Sequence, residues 1–195
     1  MHPAVFQAFD RICRARGAGG AVLEIGATPT PDTLLCLPAL AGAREKLGVN
    51  LDGPHQCAGF TIARGDARQL ELPAARFDTI LCNSVLEHDP HFWRTLAEMR
   101  RVARPGALLV IGVPAYGVPP RRRLLRGLRR LPLLGPRVES ALASTPTLLP
   151  HQFPGDYYRF SAQAMREVLL EGLDAVEVDS ILSPPRVIGS GVVPG

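Results

Sequence analysis

The chain has few cysteines and no arrangement that would pair them. Cys13, Cys36, Cys57 and Cys82 are the only cysteines in 195 residues, and no two of them form a C-x-x-C pair. This spacing argues against a disulfide framework and against a zinc site, and it is typical of reduced thiols in a cytoplasmic protein. We therefore predict no bound metal and a cytoplasmic location.

Long apolar runs and a large excess of one charge are also missing. No run approaches the roughly 18 residues of a membrane-spanning helix, and no apolar segment follows the basic N-terminus, so neither a transmembrane segment nor a signal peptide is predicted. The net charge is only +4, and much of the excess lies between Arg121 and Arg130. Nucleic-acid binding is therefore not expected. The arginine cluster is interpreted as a solvated helix face, an anion site or a weak membrane-surface contact.

What the sequence does contain is a set of short apolar runs separated by helical patterns. Strands are predicted at residues 21–25, 47–51, 60–63, 77–82, 107–113 and 175–182. Helices are predicted at residues 3–16, from Thr30 and Pro31 onward, from Asp89 and Pro90 onward, and at 161–171. Residues 184–195 either add a last short strand or fray.

This alternation is typical of an α/β fold with a mostly parallel sheet and helices on both faces. We expect a single domain over residues 1–195, with a proline- and arginine-rich insertion at about 114–150. In such sheets a ligand binds beyond the carboxyl ends of the strands. Small and polar residues follow those predicted ends, and the candidates are Glu24, Gly26, Ala27, Thr28, Asp52, Asp66, Ala67, Asn83 and Ser84.

Three segments carry a resemblance to a known family: Glu24-Ile25-Gly26, the run from Phe77-Asp78 to Leu86-Glu87-His88, and Arg104-Pro105-Gly106. Together they resemble the class I S-adenosylmethionine-dependent methyltransferases, in the small-molecule branch related to quinone and sugar methyltransferases. The resemblance implies a Rossmann-like three-layer sandwich with a seven-stranded sheet in the order 3-2-1-4-5-7-6, strand 7 antiparallel. It also implies S-adenosylmethionine as the cofactor.

The resemblance assigns roles to particular residues. It implies that Asp52 binds the ribose hydroxyls and that Asp66 reads the adenine amino group, whereas the alternative for both is an ordinary turn aspartate. The family motif acidic-x-Gly-x-Gly-x-Gly is matched at Glu24 and Gly26, but Thr28 and Thr30 replace the second and third glycines. A nicotinamide site is not expected, since G-x-G-x-x-G is absent after the first strand.

Chemistry at the acceptor is assigned to a histidine and to a polar-aromatic cluster. His88 follows the fourth predicted strand and is the candidate general base, because histidine ordinarily titrates near neutrality; the alternative is that it orients the loop before Asp89. Acceptor contacts are expected from Tyr116, His151, Asp156 and Tyr157. Otherwise residues 151–160 form a rigid loop with buried aromatics.

The sequence thus predicts an enzyme that transfers methyl to oxygen or nitrogen of a small-molecule acceptor, with a sugar or glycan precursor as the expected class. Segments similar to residues 151–160 occur in methyltransferases encoded among polysaccharide-building enzymes, and this resemblance indicates the sugar. The altered glycine motif keeps an alternative open, in which the protein is non-catalytic and acts through partner contacts.

Overall fold

The computed structural model describes residues 1–116, 155–182 and 184–195. The helices in these ranges are α1 (Pro3–Ala15), α2 (Phe92–Val102) and α3 (Ala162–Ala164), the last continued by a π-helical turn over Met165–Leu169. The strands are β1 (Ala21–Ile25), β2 (Glu45–Asn50), β3 (His55–Cys57), β4 (Phe60–Arg64), β5 (Phe77–Asn83), β6 (Ala103–Pro114), β7 (Asp174–Leu182) and β8 (Pro185–Val192).

All these strands form one sheet in the order β3-β4-β2-β1-β5-β6-β8-β7. The five central strands from β4 to β6 are parallel, whereas β8 is antiparallel to both of its neighbours and β3 is antiparallel to β4. When β3 is left aside, this is the expected order 3-2-1-4-5-7-6 with strand 7 antiparallel. The predicted α/β fold is therefore confirmed, with one edge strand more than the predicted seven.

Helices cover both faces of the sheet because the parallel strands are apolar on both sides. Val22 points toward α1 and packs in one core cluster with Phe9, while its neighbour Leu23 points to the opposite face and packs in a second cluster with Met99 of α2 and Met165. Successive side chains of a strand alternate between faces, so a short apolar run supplies both clusters. Among the described helices, none is long and apolar enough to cross a membrane.

The helix predicted after Thr30 is wrong. The chain forms two short 3-10 turns there, Leu34–Cys36 and Pro38–Leu40. Pro38 has no N–H to donate, so it begins a new turn and does not continue the first. The backbone N–H groups of Leu34 and Leu35, which a helix would direct along its axis, are bound by the carboxylate of Glu24.

Other element boundaries differ from the prediction by small amounts. The helix expected from Pro90 begins at Phe92, because the Asp89 carboxylate accepts from His91 N–H at 2.8 Å and from Thr95 Oγ1 at 2.7 Å. The helix predicted over 161–171 is confirmed only as α3 and its π-helical turn, with Ser161 as the N-cap. Strand β8 resolves the alternatives for the C-terminal segment. The predicted insertion lies outside the described residues from residue 117 onward.

Candidate functional site

A cavity of about 890 Å³ opens at the carboxyl ends of the parallel strands. Small-molecule sites typically have roughly 300–1,000 Å³, so this cavity has the size of a cofactor site. The predicted site residues that line it are Gly26, Thr28, Asp52, Asp66, Ala67, Ser84, His88 and Tyr157. Residues far apart in the chain therefore meet at the edge of the sheet that the sequence indicated.

The turn after β1 brings backbone close to the cavity. Gly26 has φ of +80°, and a Cβ atom built on it would lie 2.3 Å from Cγ2 of Val85. Only glycine fits such a position. The Gly26 N–H donates to the Val49 carbonyl at 2.8 Å, and Asn50 Nδ2 donates to the Ala27 carbonyl at 2.7 Å. The turn is thus fastened to the end of β2, while the Ala27 side chain is buried in the core.

Glu24 was predicted to contact the cofactor, but the structure places its carboxylate elsewhere. The carboxylate is buried and accepts hydrogen bonds from Thr33 Oγ1 at 2.5 Å, Leu34 N at 3.1 Å and Leu35 N at 3.0 Å. Burial raises the pKa of Glu24 to about 7, although these three donors act to lower it. Glu24 therefore holds the segment that follows Thr28, in place of the helix that the chain lacks there.

Asp52 presents its carboxylate to the open part of the cavity. Its side chain is 91% exposed, and the Asp52 N–H donates to Asn50 Oδ1 at 3.3 Å, which keeps the turn after β2 closed. His55 Nε2 of β3 lies 3.6 Å from Asp52 Oδ2. The carboxylate oxygens face the cavity and can accept hydrogen bonds from two adjacent hydroxyls.

Asp66 lies on the same side of the cavity but is engaged by Arg68. The guanidinium of Arg68, itself a lining residue, donates Nη2 to Asp66 Oδ2 at 2.6 Å. The hydrogen bond from Arg68 keeps the pKa of the Asp66 carboxyl below its usual range. Ala67, which also lines the cavity, lies between the two.

His88 closes the 3-10 turn Leu86–His88 that follows β5. Its Nδ1 is hydrogen-bonded to the carbonyl of Gly155, and a carbonyl only accepts, so Nδ1 carries the proton. In the neutral imidazole the lone pair then lies on Nε2, which is the atom a general base uses. Nε2 lies 3.9 Å from Oε1 of Glu87, a fully buried carboxylate.

The segment Gly155–Tyr158 forms the wall opposite β2. It is fastened to the turn after β5 by three hydrogen bonds: His88 to Gly155, the Tyr157 N–H to the Glu87 carbonyl at 2.8 Å, and the Tyr158 hydroxyl to the Pro90 carbonyl at 3.0 Å. The Tyr157 ring is 56% exposed and lines the cavity. An exposed aromatic ring held by a fixed backbone provides an apolar face for an acceptor.

Other predicted site residues lie away from the cavity or outside the described ranges. Asn83 Oδ1 faces Gly112 and Phe9 on the α1 side of the sheet. Asp156 is buried and forms an ion pair with both terminal nitrogens of Arg159. Tyr116 is half-exposed after the end of β6 and does not line the cavity. His151 falls outside the described residues, so its role stays a prediction.

Two charged residues near this wall, the partly buried Arg186 and the fully buried Glu87, were not among the predicted site residues. Arg186, at the start of β8, donates Nη1 to Ser84 Oγ at 2.7 Å and lies 3.6 Å from Glu87 Oε1. Burial lowers the pKa of Arg186 from its ordinary value. Because 102 positions separate Arg186 from Ser84, no local pattern could have paired them. The antiparallel direction of β8 is what delivers its first residues to the ligand edge.

Residues 35–111 match the family model of a methyltransferase domain. The chain is similar to an uncharacterized methyltransferase of Mycobacterium sp. (strain JLS), with 34% identity over 107 residues, 50% of this chain and 40% of that protein. It is also similar to phthiotriol/phenolphthiotriol dimycocerosates methyltransferase 1 of Mycobacterium ulcerans (strain Agy99), with 41% identity over 56 residues, 29% of this chain and 21% of that protein. The matched stretch thus covers less than half of the length of these relatives.

Solved structures resemble the chain over nearly its whole length. One is 1,6-didemethyltoxoflavin-N1-methyltransferase of Burkholderia thailandensis with bound 1,6-didemethyltoxoflavin and S-adenosylhomocysteine, at a TM-score of 0.65 and 16% identity, covering 98% of this chain and 79% of that one. Another is the N-methyltransferase NodS of Bradyrhizobium japonicum in complex with S-adenosylhomocysteine, at a TM-score of 0.60 and 13% identity, covering 98% and 87%. At these identities the likeness concerns the fold.

Proposed function

We propose that the chain is a class I S-adenosylmethionine-dependent methyltransferase, which transfers methyl from S-adenosylmethionine to oxygen or nitrogen of a small molecule. We propose a sugar or glycan precursor as the acceptor. The observation that carries the proposal is that Gly26, Asp52, Asp66 and His88 all line one cavity. This cavity therefore combines residues suited to the cofactor with a residue suited to proton transfer.

The residues at the β1–β4 side of the cavity fit the cofactor. Gly26 forms the turn at the cavity where Val85 leaves no room for a side chain, Asp52 offers an exposed carboxylate for the ribose hydroxyls, and Asp66 with Ala67 lies in the region assigned to adenine. Thr28 lines the same wall where the family motif has its second glycine. The first glycine of the family motif is thus retained at Gly26, where it allows the backbone to approach a ligand closely. At Thr28 a side-chain hydroxyl stands where the motif has glycine.

Bound S-adenosylmethionine supplies a methyl group on a sulfonium that is already a good leaving group, so the protein contributes alignment and desolvation. His88 Nε2 accepts the proton that an acceptor hydroxyl or ammonium loses. The hydrogen bond from Nδ1 to Gly155 keeps the ring in the tautomer that this step needs. An acceptor held against the Tyr157 ring lies next to His88.

Beside the Tyr157 ring the cavity presents the Ser84 hydroxyl, and this combination supports a neutral, hydroxyl-rich acceptor. Ser84 Oγ is fixed by Arg186, and the Asp156–Arg159 pair stands behind Tyr157. Fixed polar groups around one aromatic face are the usual means of orienting a sugar-sized ligand. Membrane-surface contact through Arg121 to Arg130 lies outside the described residues and remains part of the proposal only as a weak contact.

Two measurements test the function. Calorimetry with S-adenosylmethionine and S-adenosylhomocysteine tests binding, and formation of S-adenosylhomocysteine is then followed with a panel of glycosides, nucleotide sugars, phenols and amines. We expect both cofactor forms to bind and a hydroxyl-bearing sugar to give the highest rate. Absence of binding at millimolar ligand would instead support the non-catalytic alternative, and turnover only with amines or phenols would remove the sugar.

The exposed carboxylate of Asp52 gives the first mutational prediction. Asp52→Ala removes hydrogen bonds from two ribose hydroxyls, each worth roughly 1.5–3 kcal/mol to a charged acceptor, so the Kd for S-adenosylhomocysteine should rise at least about tenfold. The thermal midpoint should stay unchanged, since the side chain is solvent-exposed. Asp179→Ala is the matched control, because Asp179 is an exposed aspartate on β7 at the other edge of the sheet. Unchanged cofactor affinity in Asp52→Ala would make Asp52 a turn residue only.

A further inference from the structure

Both carboxylate oxygens of Asp66 accept hydrogen bonds from one neighbouring residue, Arg68. Arg68 donates its backbone N–H to Oδ1 at 2.9 Å and Nη2 to Oδ2 at 2.6 Å, while Nε lies 3.0 Å from Oδ1 and 3.1 Å from Oδ2. An ionised carboxylate offers about four acceptor positions. Three N–H groups of Arg68 therefore occupy most of this acceptor capacity, and both oxygens receive a hydrogen bond from the guanidinium.

This ion pair lies at the ligand surface and not in the core. Both residues line the cavity, and the side chains of Arg68 and Asp66 are 40% and 39% exposed. Asp89, which also lines the cavity, attracts the Arg68 guanidinium as well. The guanidinium thus has a second negative group toward which it can turn while it stays in the cavity.

We propose that Arg68 sets the affinity and base selectivity of the adenine subsite, because its guanidinium competes with the 6-amino group of adenine for the carboxylate oxygens of Asp66. The inference rests on the assignment of Asp66 to adenine in the proposed function. The backbone N–H of Arg68 keeps Asp66 oriented when the guanidinium turns away. Arg68 is therefore a specificity-determining residue that acts through Asp66.

The test compares two ligands in two proteins. The ligands are S-adenosylhomocysteine and its 6-deamino analogue, in which hydrogen replaces the amino group of adenine. In Arg68→Ala we expect S-adenosylhomocysteine to bind about three- to fivefold more tightly than in the wild type, the size expected for loss of a competing, partly exposed ion pair. The analogue should bind the two proteins equally. Arg68→Lys should fall between them, since a lysine makes only a point contact with a carboxylate.

Arg166→Ala serves as the control, because Arg166 is an exposed arginine remote from the cavity lining. Calorimetry measures each Kd, and the thermal midpoint checks folding. Weaker binding of S-adenosylhomocysteine to Arg68→Ala, or an equal change for both ligands, would overturn the proposal. If neither the wild type nor Arg68→Ala discriminates between the two ligands, Asp66 does not read the amino group, and the adenine assignment fails together with the inference. If the wild type discriminates and Arg68→Ala discriminates to the same degree, only the role of Arg68 fails.

Discussion

Replacement of His88 by alanine is expected to lower kcat by about 10²–10⁴, the usual contribution of a positioned general base. The reason is the fixed tautomer: Nδ1 donates to Gly155, so Nε2 carries the lone pair beside the cavity. The affinity for S-adenosylhomocysteine should change less than about twofold, because the proposal assigns His88 no hydrogen bond to the cofactor. Formation of S-adenosylhomocysteine with the best acceptor of the panel measures the effect.

Two further variants separate chemistry from architecture. His88→Asn keeps a donor near the position of Nδ1, so the Gly155–Tyr158 wall should stay in place while the base is missing; we expect kcat as low as in His88→Ala. His91→Ala is the matched control, because His91 is an exposed histidine three residues later that does not line the cavity. If His88→Asn retains wild-type turnover, His88 only orients the wall, and the proton leaves by another path.

The central sheet was predictable because its strands are short apolar runs that end in small or acidic residues. Strands β1 and β5 are buried on both faces, and their short length separates them from buried helices. Strand β3 was missed because His55–Cys57 is three residues long and has no apolar alternation. Strand β8 was ambiguous because Pro184 and Pro185 leave little room for a strand. In the structure β8 begins at Pro185, and a Cβ atom on Gly189 within it would lie 2.6 Å from atoms of Leu170 and Met165.

The sequence predicted the parts of the candidate site that lie at strand ends. It did not predict the parts that depend on contacts between residues far apart in the chain. The sequence predicted that Asp52 and His88 lie at the ligand edge of the sheet, because both residues are in loops that follow strands. Arg186 and Arg68 were missed, since the partner of Arg186 is 102 residues away and since Arg68 has no motif of its own. The family motif predicted that Glu24 contacts the cofactor. In the structure 3-10 turns replace the predicted helix, and the Glu24 carboxylate accepts hydrogen bonds from the buried backbone N–H groups of Leu34 and Leu35 in those turns.

Loss of the Glu24 carboxylate should have the largest effect on stability. Glu24→Ala leaves the Thr33 hydroxyl and the Leu34 and Leu35 N–H groups without their acceptor in a buried site. Each unsatisfied buried donor costs about 1–3 kcal/mol, so the loss of the acceptor of all three should lower the free energy of unfolding by at least about 3 kcal/mol. Urea unfolding measures this, with the exposed Glu177→Ala on β7 as control. A loss below about 1 kcal/mol would mean that water replaces the carboxylate.

The same carboxyl group makes stability depend on pH in a direction opposite to most acidic residues. Its folded-state pKa is about 7, above the ordinary 4.5, so between these values the folded protein holds a proton that the unfolded chain has lost. The contribution of Glu24 is therefore present below about pH 4.5 and is lost as the pH rises to about 7, by up to about 3 kcal/mol. The side chain of Glu24→Gln cannot titrate. The free energy of unfolding of the wild type should therefore fall relative to that of Glu24→Gln as the pH rises from about 5 to about 8. A constant difference over that range would show that the carboxyl ionises in the folded protein as it does in the unfolded chain, and that the buried donors offset the whole cost of burying its charge.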